Sequence, residues 1–250
     1  MRKYLSVFVS FIFLFIFAVS CSISPKRYRI GIDPSFYPTN FGQLNTNIYG
    51  YINDVLLEIA KMEKIEFEKF EANWDTLLEG LDADEKSIDH YDFCISLMQP
   101  YNFNLDKYCF SSVFLQTGPV LIVPKKAKYE ALEDLNKERV GIVKGDLSLR
   151  LVQKYPDIMI LPFPSIAEML EQLDIKNIDA AVTLRPLAIA YSKNIYGDQF
   201  KISAPIIDEG IRFISLRAKS CDLIDKMDRA LKRLEKNKTL EVLQKKWKLM

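Results

Sequence analysis

A short β-branched run, Tyr28-Arg-Ile-Gly-Ile32, leads into a loop broken by Pro34 and Pro38, and a helical apolar pattern at Ile52, Val55, Leu56 and Ile59 follows. This is a strand-loop-helix unit: the periodicity changes from that of an extended segment to that of an amphipathic helix. Sheets built from such units collect ligands at the carboxyl ends of their strands, so the loop between Asp33 and Gly50 is the first candidate site. It carries Asp33, Phe36 and Tyr37. The competing reading is an ordinary surface loop with a solvated aspartate and two packed aromatics.

The alternation continues downstream. Ile65 to Glu68 reads as a strand, Asn73 caps a short helix through Trp74, Leu77, Leu78 and Leu81, and Asp92 to Ser96 is a buried strand. Phe110 to Val123, interrupted at Gly118 and Pro119, is too long for one ordinary strand and is read as a passage from one lobe to another. A second series follows: a helix over Glu130 to Lys137, a strand at Arg139 to Val143, a turn at Gly145 and a helix from Ser148 to Lys154. After a strand at Met159 to Leu161, Ser165 and Glu168 have the spacing of a capping box. Ile178 to Val182 is another strand, and Pro186 opens a helix to Tyr191. The pattern predicts parallel sheet on right-handed crossovers. Ile202 to Ile207 and Ile211 to Leu216, interrupted at Asp208, Glu209 and Gly210, read as the return crossing. Helices from Asp222 to Lys236 and from Thr239 to Leu249 close the chain.

The start carries an address. Arg2 and Lys3 precede an uncharged apolar run from Leu5 to Val19. At roughly 15 residues it is short for a spanning helix, which needs ~20, and suits a signal-peptide core. Ser20-Cys21 resembles the bacterial lipoprotein box, with Ala18 where that box usually has Leu. The resemblance implies cleavage before Cys21, lipidation of its thiol, and a firm membrane anchor through several acyl chains. A retained signal anchor or an ordinary cleaved signal is the other reading.

Of 34 basic and 33 acidic residues, Arg2 and Lys3 leave with the signal, giving 32 against 33, or −1. Nucleic acid is therefore excluded as a partner, since phosphate neutralisation needs a basic excess on one face. The lone His90 lies in a charged loop and reads as a solvated side chain, and one histidine supports neither a Ser-His pair nor a multi-histidine metal site. No cofactor or metal is expected. Cys94, Cys109 and Cys221 cannot all pair within the chain. Cys94 reads as a buried free thiol, with a Cys94–Cys109 bridge as the alternative.

In this order of elements the chain resembles the extracellular solute-binding proteins of ABC importers, of the polar amino-acid-binding type. The resemblance rests on Arg29-Ile-Gly-Ile-Asp33, Gly50-Tyr-Ile-Asn-Asp54, Asn73 to Leu81, Asp92-Phe-Cys-Ile95, Leu132-Glu-Asp-Leu135 and Val140 to Gly145. It continues through Ile178-Asp-Ala-Ala-Val182 and Asn237-Lys-Thr-Leu240 to Trp247. It implies an α/β, two-lobed periplasmic-binding-protein fold with two crossing strands forming a hinge, and lobes that close on a ligand. The implied division is a signal peptide over 1–20 and a lipidated linker over 21–27. Residues 28–115 and 208–250 form lobe 1, and residues 116–207 form lobe 2.

Both charged grips of that family are absent. The family holds the α-carboxylate with an Arg beyond the glycine that ends the strand matched by Asp92 to Ile95. Counting from Gly118 puts Asn104 in that place, Leu97 at the glycine and Tyr101 at the usual Thr. The family's ammonium-holding Asp is matched by Leu184, with Arg185 beside it. A cleft without both grips is not built for an amino-acid zwitterion in the usual pose. Candidate contacts are Asp33, Phe36, Trp74, Leu97, Met98 and Tyr101 from lobe 1, and Ser148 and Arg185 from lobe 2. Core packing is the alternative for the aromatics, and a surface ion pair of little weight for Arg185. The expected protein is a monomeric, lipid-anchored binding subunit rather than an enzyme, on the periplasmic face of the inner membrane or elsewhere in the envelope. It would deliver a small solute, an amino acid, short peptide or related organic acid, to an ABC permease. The alternatives are a small secreted carboxylate-dependent enzyme, or an envelope sensor that has lost solute binding and docks a partner.

Overall fold

The computed structural model describes residues 25–33, 43–146 and 148–250, without the side chains of 74 and 75. The segment 1–20, Cys21, Phe36 and Tyr37 lie outside the described residues. The first elements are β1 (Lys26–Ile32), α1 (Leu44–Glu63), β2 (Ile65–Glu71), the short α2 (Trp74–Leu77) and α3 (Glu79–Asp82), β3 (Phe93–Ser96), β4 (Tyr108–Phe110) and β5 (Leu115–Gln116). Then come β6 (Pro119–Pro124), β7 (Arg139–Val143), α4 (Ser148–Val152), β8 (Met159–Phe163), α5 (Ile166–Asp174), β9 (Ala180–Leu184) and α6 (Arg185–Tyr191). After β10 (Phe200–Pro205) and β11 (Gly210–Leu216), α7 (Cys221–Lys236) and α8 (Thr239–Lys246) end the chain.

Two sheets result. The first has strand order β2-β1-β3-β11-β4, with β5 also on β11, and the second has order β10-β6-β9-β7-β8. The expected parallel pairing holds for β1 with β2 and β3, and for β7 with β8 and β9. It fails for β11 on β3 and for β6 on β9 and β10, which are antiparallel. These are the strands entering and leaving through the crossing, and a chain that passes between sheets and returns must reverse its direction.

Apolar alternation fills both faces of each sheet. On β6, Val120 and Ile122 pack with Met169, Leu170 and Leu173 of α5, whereas Leu121 and Val123 pack with Val140, Ile142, Ala180 and Val182. On β3, Phe93 and Ile95 face the cluster of Ile48, Tyr51, Ile52, Val55 and Ile59 from α1, and Cys94 faces the other side with Leu77, Leu81 and Ile214. Two-sided burial explains why these strands read as continuous apolar runs. Lys64, in the left-handed conformation (φ 53°), ends α1 by donating its N–H to the Ala60 carbonyl.

Two expectations are corrected, and for the cysteines the expected buried free thiol at Cys94 holds while its alternative, a Cys94–Cys109 bridge, does not. The helix over Glu130 to Lys137 is a single 3₁₀ turn at Leu132–Asp134. Asp134 Oδ2 takes the N–H groups of Glu130 and Ala131 (2.8 and 3.0 Å), a side-chain bond that competes with helix propagation. His90 is buried, at 7% exposure, rather than solvated. The disulfide joins Cys109 and Cys221, with Cα atoms 5.7 Å apart, and Cys94 is free and buried. Strand β11 separates Cys94 on β3 from Cys109 on β4, and two strand spacings of ~4.8 Å exceed the ~7 Å reach of a bridge.

The crossing is tight. Thr117 and Gly118 N–H both donate to the Glu209 carbonyl (2.9 Å each), and Ile206 N–H donates to the Pro119 carbonyl (2.8 Å). A Cβ on Gly118 would lie 2.5 Å from the Ile207 carbonyl oxygen, and one on Gly210 would lie 2.3 Å from that of Leu115. Both crossovers therefore require glycine where one backbone passes over the other.

Candidate functional site

The carboxyl ends of the parallel strands mark the site in both sheets. In the first lobe β1 ends at Asp33, which is buried at 8% exposure. Strand β3 ends at Leu97 and Met98, both half-buried; Met98 N–H donates to Ser96 Oγ at 3.1 Å, and Leu97 joins the apolar cluster of that lobe. The backbone of Trp74 opens α2, where Asn73 Oδ1 accepts the Thr76 N–H at 3.0 Å as its capping position requires.

The segment after β3 is wired to the crossing. Gln99 Nε2 donates to the carbonyls of Leu97 (2.6 Å) and Gly210 (2.9 Å), and Gln99 Oε1 accepts from Arg212 Nε at 3.1 Å. Arg212 Nη1 and Nη2 donate to the carbonyls of Ser111 (3.0 Å) and Asp208 (3.4 Å). Burial depresses the pKa of this guanidinium, with Asp208 and Asp228 opposing. Asn104, at the position matched to the family's arginine, is buried and gives its Nδ2 to the Gln99 carbonyl at 2.8 Å. Tyr101 is half exposed, and its hydroxyl donates to Glu209 at 3.1 Å. It stands beside the crossing, stacked on the exposed Phe103 with ring centroids 5.7 Å apart.

In the second lobe β7 and β9 run parallel in register, Ile142 opposite Val182, so the turn after β7 and the residues after Thr183 are neighbours. Asp146 ties them together: its Oδ1 accepts the Ser148 N–H (2.8 Å) and its Oδ2 faces Thr183 Oγ1 (3.4 Å). The turn's amides are thus partly served by a carboxylate of the chain itself. Ser148 is 4% exposed, and its Oγ has no partner among the described residues.

Leu184, where the family holds an ammonium, is half-buried and packs on the first-lobe apolar cluster with Ile166 and Leu187. Arg185 follows. Its N–H donates to the Gly118 carbonyl at 3.0 Å, Pro186 locks the first turn of α6, and burial lowers the pKa of its guanidinium. The lobes also meet at a cavity of about 280 Å³ lined by Gln43, Asn47, Ala190, Lys193 and Lys248, where Lys193 Nζ donates to the Met250 carbonyl.

The structure therefore places Asp33, Leu97 and Met98 just past strand ends in one lobe, and in the other Arg185 just past the end of β9 and Ser148 at the start of α4. Tyr101 sits at the crossing, Phe36 and the Trp74 side chain lie outside the described residues, and His90 lines a separate surface cavity with Lys26 and Lys219. Sequence reasoning missed Gln99 and Arg212. The available signal was an arginine inside the apolar run Ile211 to Leu216, since a charge is rarely buried without a network to hold it.

A family model described as "Bacterial extracellular solute-binding proteins, family 3" matches residues 28–250. The arginine-binding extracellular protein ArtP of Bacillus subtilis (strain 168) is 25% identical over 227 residues, covering 89% of this chain and 86% of that protein. The L-cystine-binding protein TcyA of the same organism is 22% identical over 226 residues, covering 87% and 80%. Among solved structures, the unliganded open L-cystine solute receptor of Neisseria gonorrhoeae superposes with a TM-score of 0.71 at 17% identity, covering 89% of this chain and 92% of that one. At that identity the likeness speaks for the fold.

Proposed function

Because the chain belongs to the bacterial extracellular solute-binding proteins, family 3, we propose that it captures one small solute, an amino acid or related organic acid, between its two lobes and presents it to an ABC permease. The observation that carries this reading is the convergence of strand ends from both sheets on one pair of glycine-dependent crossovers. Residues 28–115 with 208–250 form one moving body and residues 116–207 the other, with closure about the crossing. Asp33, Leu97, Met98 and Tyr101 are assigned to the first wall, together with Phe36 and Trp74 from the sequence alone, and Ser148 and Arg185 to the second. Capture proceeds without chemical change of the solute, in keeping with relatives named as binding proteins. The domain acts as a monomer at the cell envelope, tethered through a lipidated Cys21.

The test is a thermal-shift screen of the purified domain against the standard amino acids, L-cystine, short peptides and organic acids. A ligand present at a hundred times its Kd stabilises the folded state by about 2.7 kcal/mol, a readily measured rise in melting temperature. No rise with any compound at millimolar concentration would overturn the reading.

A further inference from the structure

Resting on the capture reading, we propose that the solute's anionic group is held from the second lobe, by the Arg185 guanidinium with the Ser148 hydroxyl beside it, and that the solute's ammonium group is dispensable. The class of ligand is then a carboxylate recognised by its negative charge, with or without a positive one.

Four described arginines are at least partly withdrawn from solvent: Arg29, Arg139, Arg185 and Arg212. Arg29 gives Nη1 to the Ser87 carbonyl at 2.9 Å and lies 4.3 Å from the centroid of the Phe70 ring. Arg139 makes a two-pronged pair with Asp179, Nε to Oδ2 at 2.9 Å and Nη2 to Oδ1 at 3.0 Å. Arg212 is spent on Gln99 Oε1 and the carbonyls of Ser111 and Asp208. Arg185 alone of the four has no hydrogen-bond or ion-pair partner for its guanidinium among the described residues. A half-buried guanidinium that no described protein group accepts from is partly desolvated without compensation, and an arriving carboxylate with two oxygens matches its paired donors.

Its surroundings fit that role. The backbone of Arg185 is fixed by its bond to Gly118 and by Pro186, so the side chain is rooted where the second sheet meets the crossing. Ser148 opens α4 beyond the turn that follows the neighbouring strand β7, and is linked through Asp146 to Thr183, two residues before Arg185. Its buried Oγ is a second polar group with no partner among the described residues. Among the described residues of the first lobe, Asn104 gives its Nδ2 to the Gln99 carbonyl, and Arg212 is consumed by Gln99 Oε1 and two carbonyls. Leu184, packed on apolar neighbours, supplies no acceptor for an ammonium.

Isothermal titration tests this with L-arginine, L-histidine and L-glutamine, each beside its carboxamide, which lacks the α-carboxylate, and its N-acetyl derivative, which lacks the α-ammonium. For any amino acid of the panel that binds, the carboxamide is expected to bind at least about tenfold more weakly and the N-acetyl derivative within a few-fold. In Arg185→Met the acid and the amide should bind equally, Arg185→Lys should restore part of the difference, and Ser148→Ala should reduce it. Thermal melts of each variant check that the fold survives. An unchanged acid-to-amide ratio in a folded Arg185→Met protein overturns the assignment while leaving capture intact. Loss of the N-acetyl derivative as severe as that of the amide overturns the claim that one charge suffices. Silence of the whole screen of solutes with the wild-type protein overturns both capture and this assignment.

Discussion

The backbone N–H of Arg185 donates to the carbonyl of Gly118 at 3.0 Å, so the second-lobe cation hangs from the first of the two crossovers. If Arg185 holds the solute as proposed, binding and hinge share one piece of structure. A ligand that pulls on the guanidinium pulls on the backbone about which the lobes turn.

Gly118→Ala puts that coupling under strain. Its Cβ would lie 2.5 Å from the Ile207 carbonyl oxygen, a backbone atom that cannot swing aside. Overpacking of this kind costs about 1–3 kcal/mol. Chemical denaturation should register the loss, and calorimetry should show weakened solute binding, because the two crossovers are forced apart. A variant as stable as the wild type would mean that the crossing is looser than its geometry requires.

Arg212→Met removes the cation that gathers Gln99, Ser111 and Asp208 under the crossing. Buried acceptors left without a donor cost about 1–3 kcal/mol each, so a loss of about 2–4 kcal/mol is expected in urea melts. The additional variant Gln99→Leu should cost more stability still, because the Leu97 and Gly210 carbonyls lose their Nε2 donor, but the double variant should lose less than the sum of the single variants, whose shared Oε1–Nε bond is counted once.

Reduction of the Cys109–Cys221 bridge frees the edge strand β4 from the start of α7. The two cysteines are 112 residues apart, and closing so long a loop stabilises by about 4–5 kcal/mol in the chain-entropy account. A reductant should lower the melting temperature of the wild type and leave that of Cys109→Ser/Cys221→Ser unchanged. Cys94, wholly buried and with its thiol pKa pushed up by that burial, should resist alkylation until the protein unfolds.

Alkaline pH should expose Tyr51. Burial pushes its phenol up to about 12, with Gln244 partly opposing, while its hydroxyl donates to the Phe114 carbonyl at 2.6 Å. The folded pKa lies above the unfolded value near 10, so this contribution is complete below pH ~10 and disappears as pH rises through about 12. Tyr51→Phe should be less stable at neutral pH by about 1 kcal/mol and show a shallower decline above pH 10. Equal alkaline slopes for both proteins would contradict this.

Much of this architecture was legible in the residues. Strand positions followed from β-branched and apolar runs, and Gly118 with Pro119 and Gly210 marked both crossings, because a backbone crossing leaves no room for a side chain. Local signals set local structure: Asn73 and Ser165 cap as their spacing implies. What failed depended on the third dimension. The Glu130 to Lys137 pattern lost to one aspartate's backbone bonds, and His90 was drawn inward although its neighbours are charged. The stretch from Gly50 to Asp54 also gained a different meaning. Gly50 accommodates the Trp247 ring and Asp54 accepts its Nε1–H at 2.7 Å, so that pairing docks α8 on α1. At the site, sequence singled out Arg185 by its position, but only the packed structure reveals that its guanidinium lacks a partner whereas that of Arg212 does not.

Small-angle X-ray scattering of residues 22–250, titrated with the standard amino acids, L-cystine and simple organic acids, tests the closing of two lobes about a shared crossing most directly. At least one of these solutes should reduce the radius of gyration saturably, in step with its rise in melting temperature, and Arg185→Met should need far more of an anionic solute to reach the same compact state. A radius unmoved by every solute, together with melting temperatures that do not rise, would contradict the account.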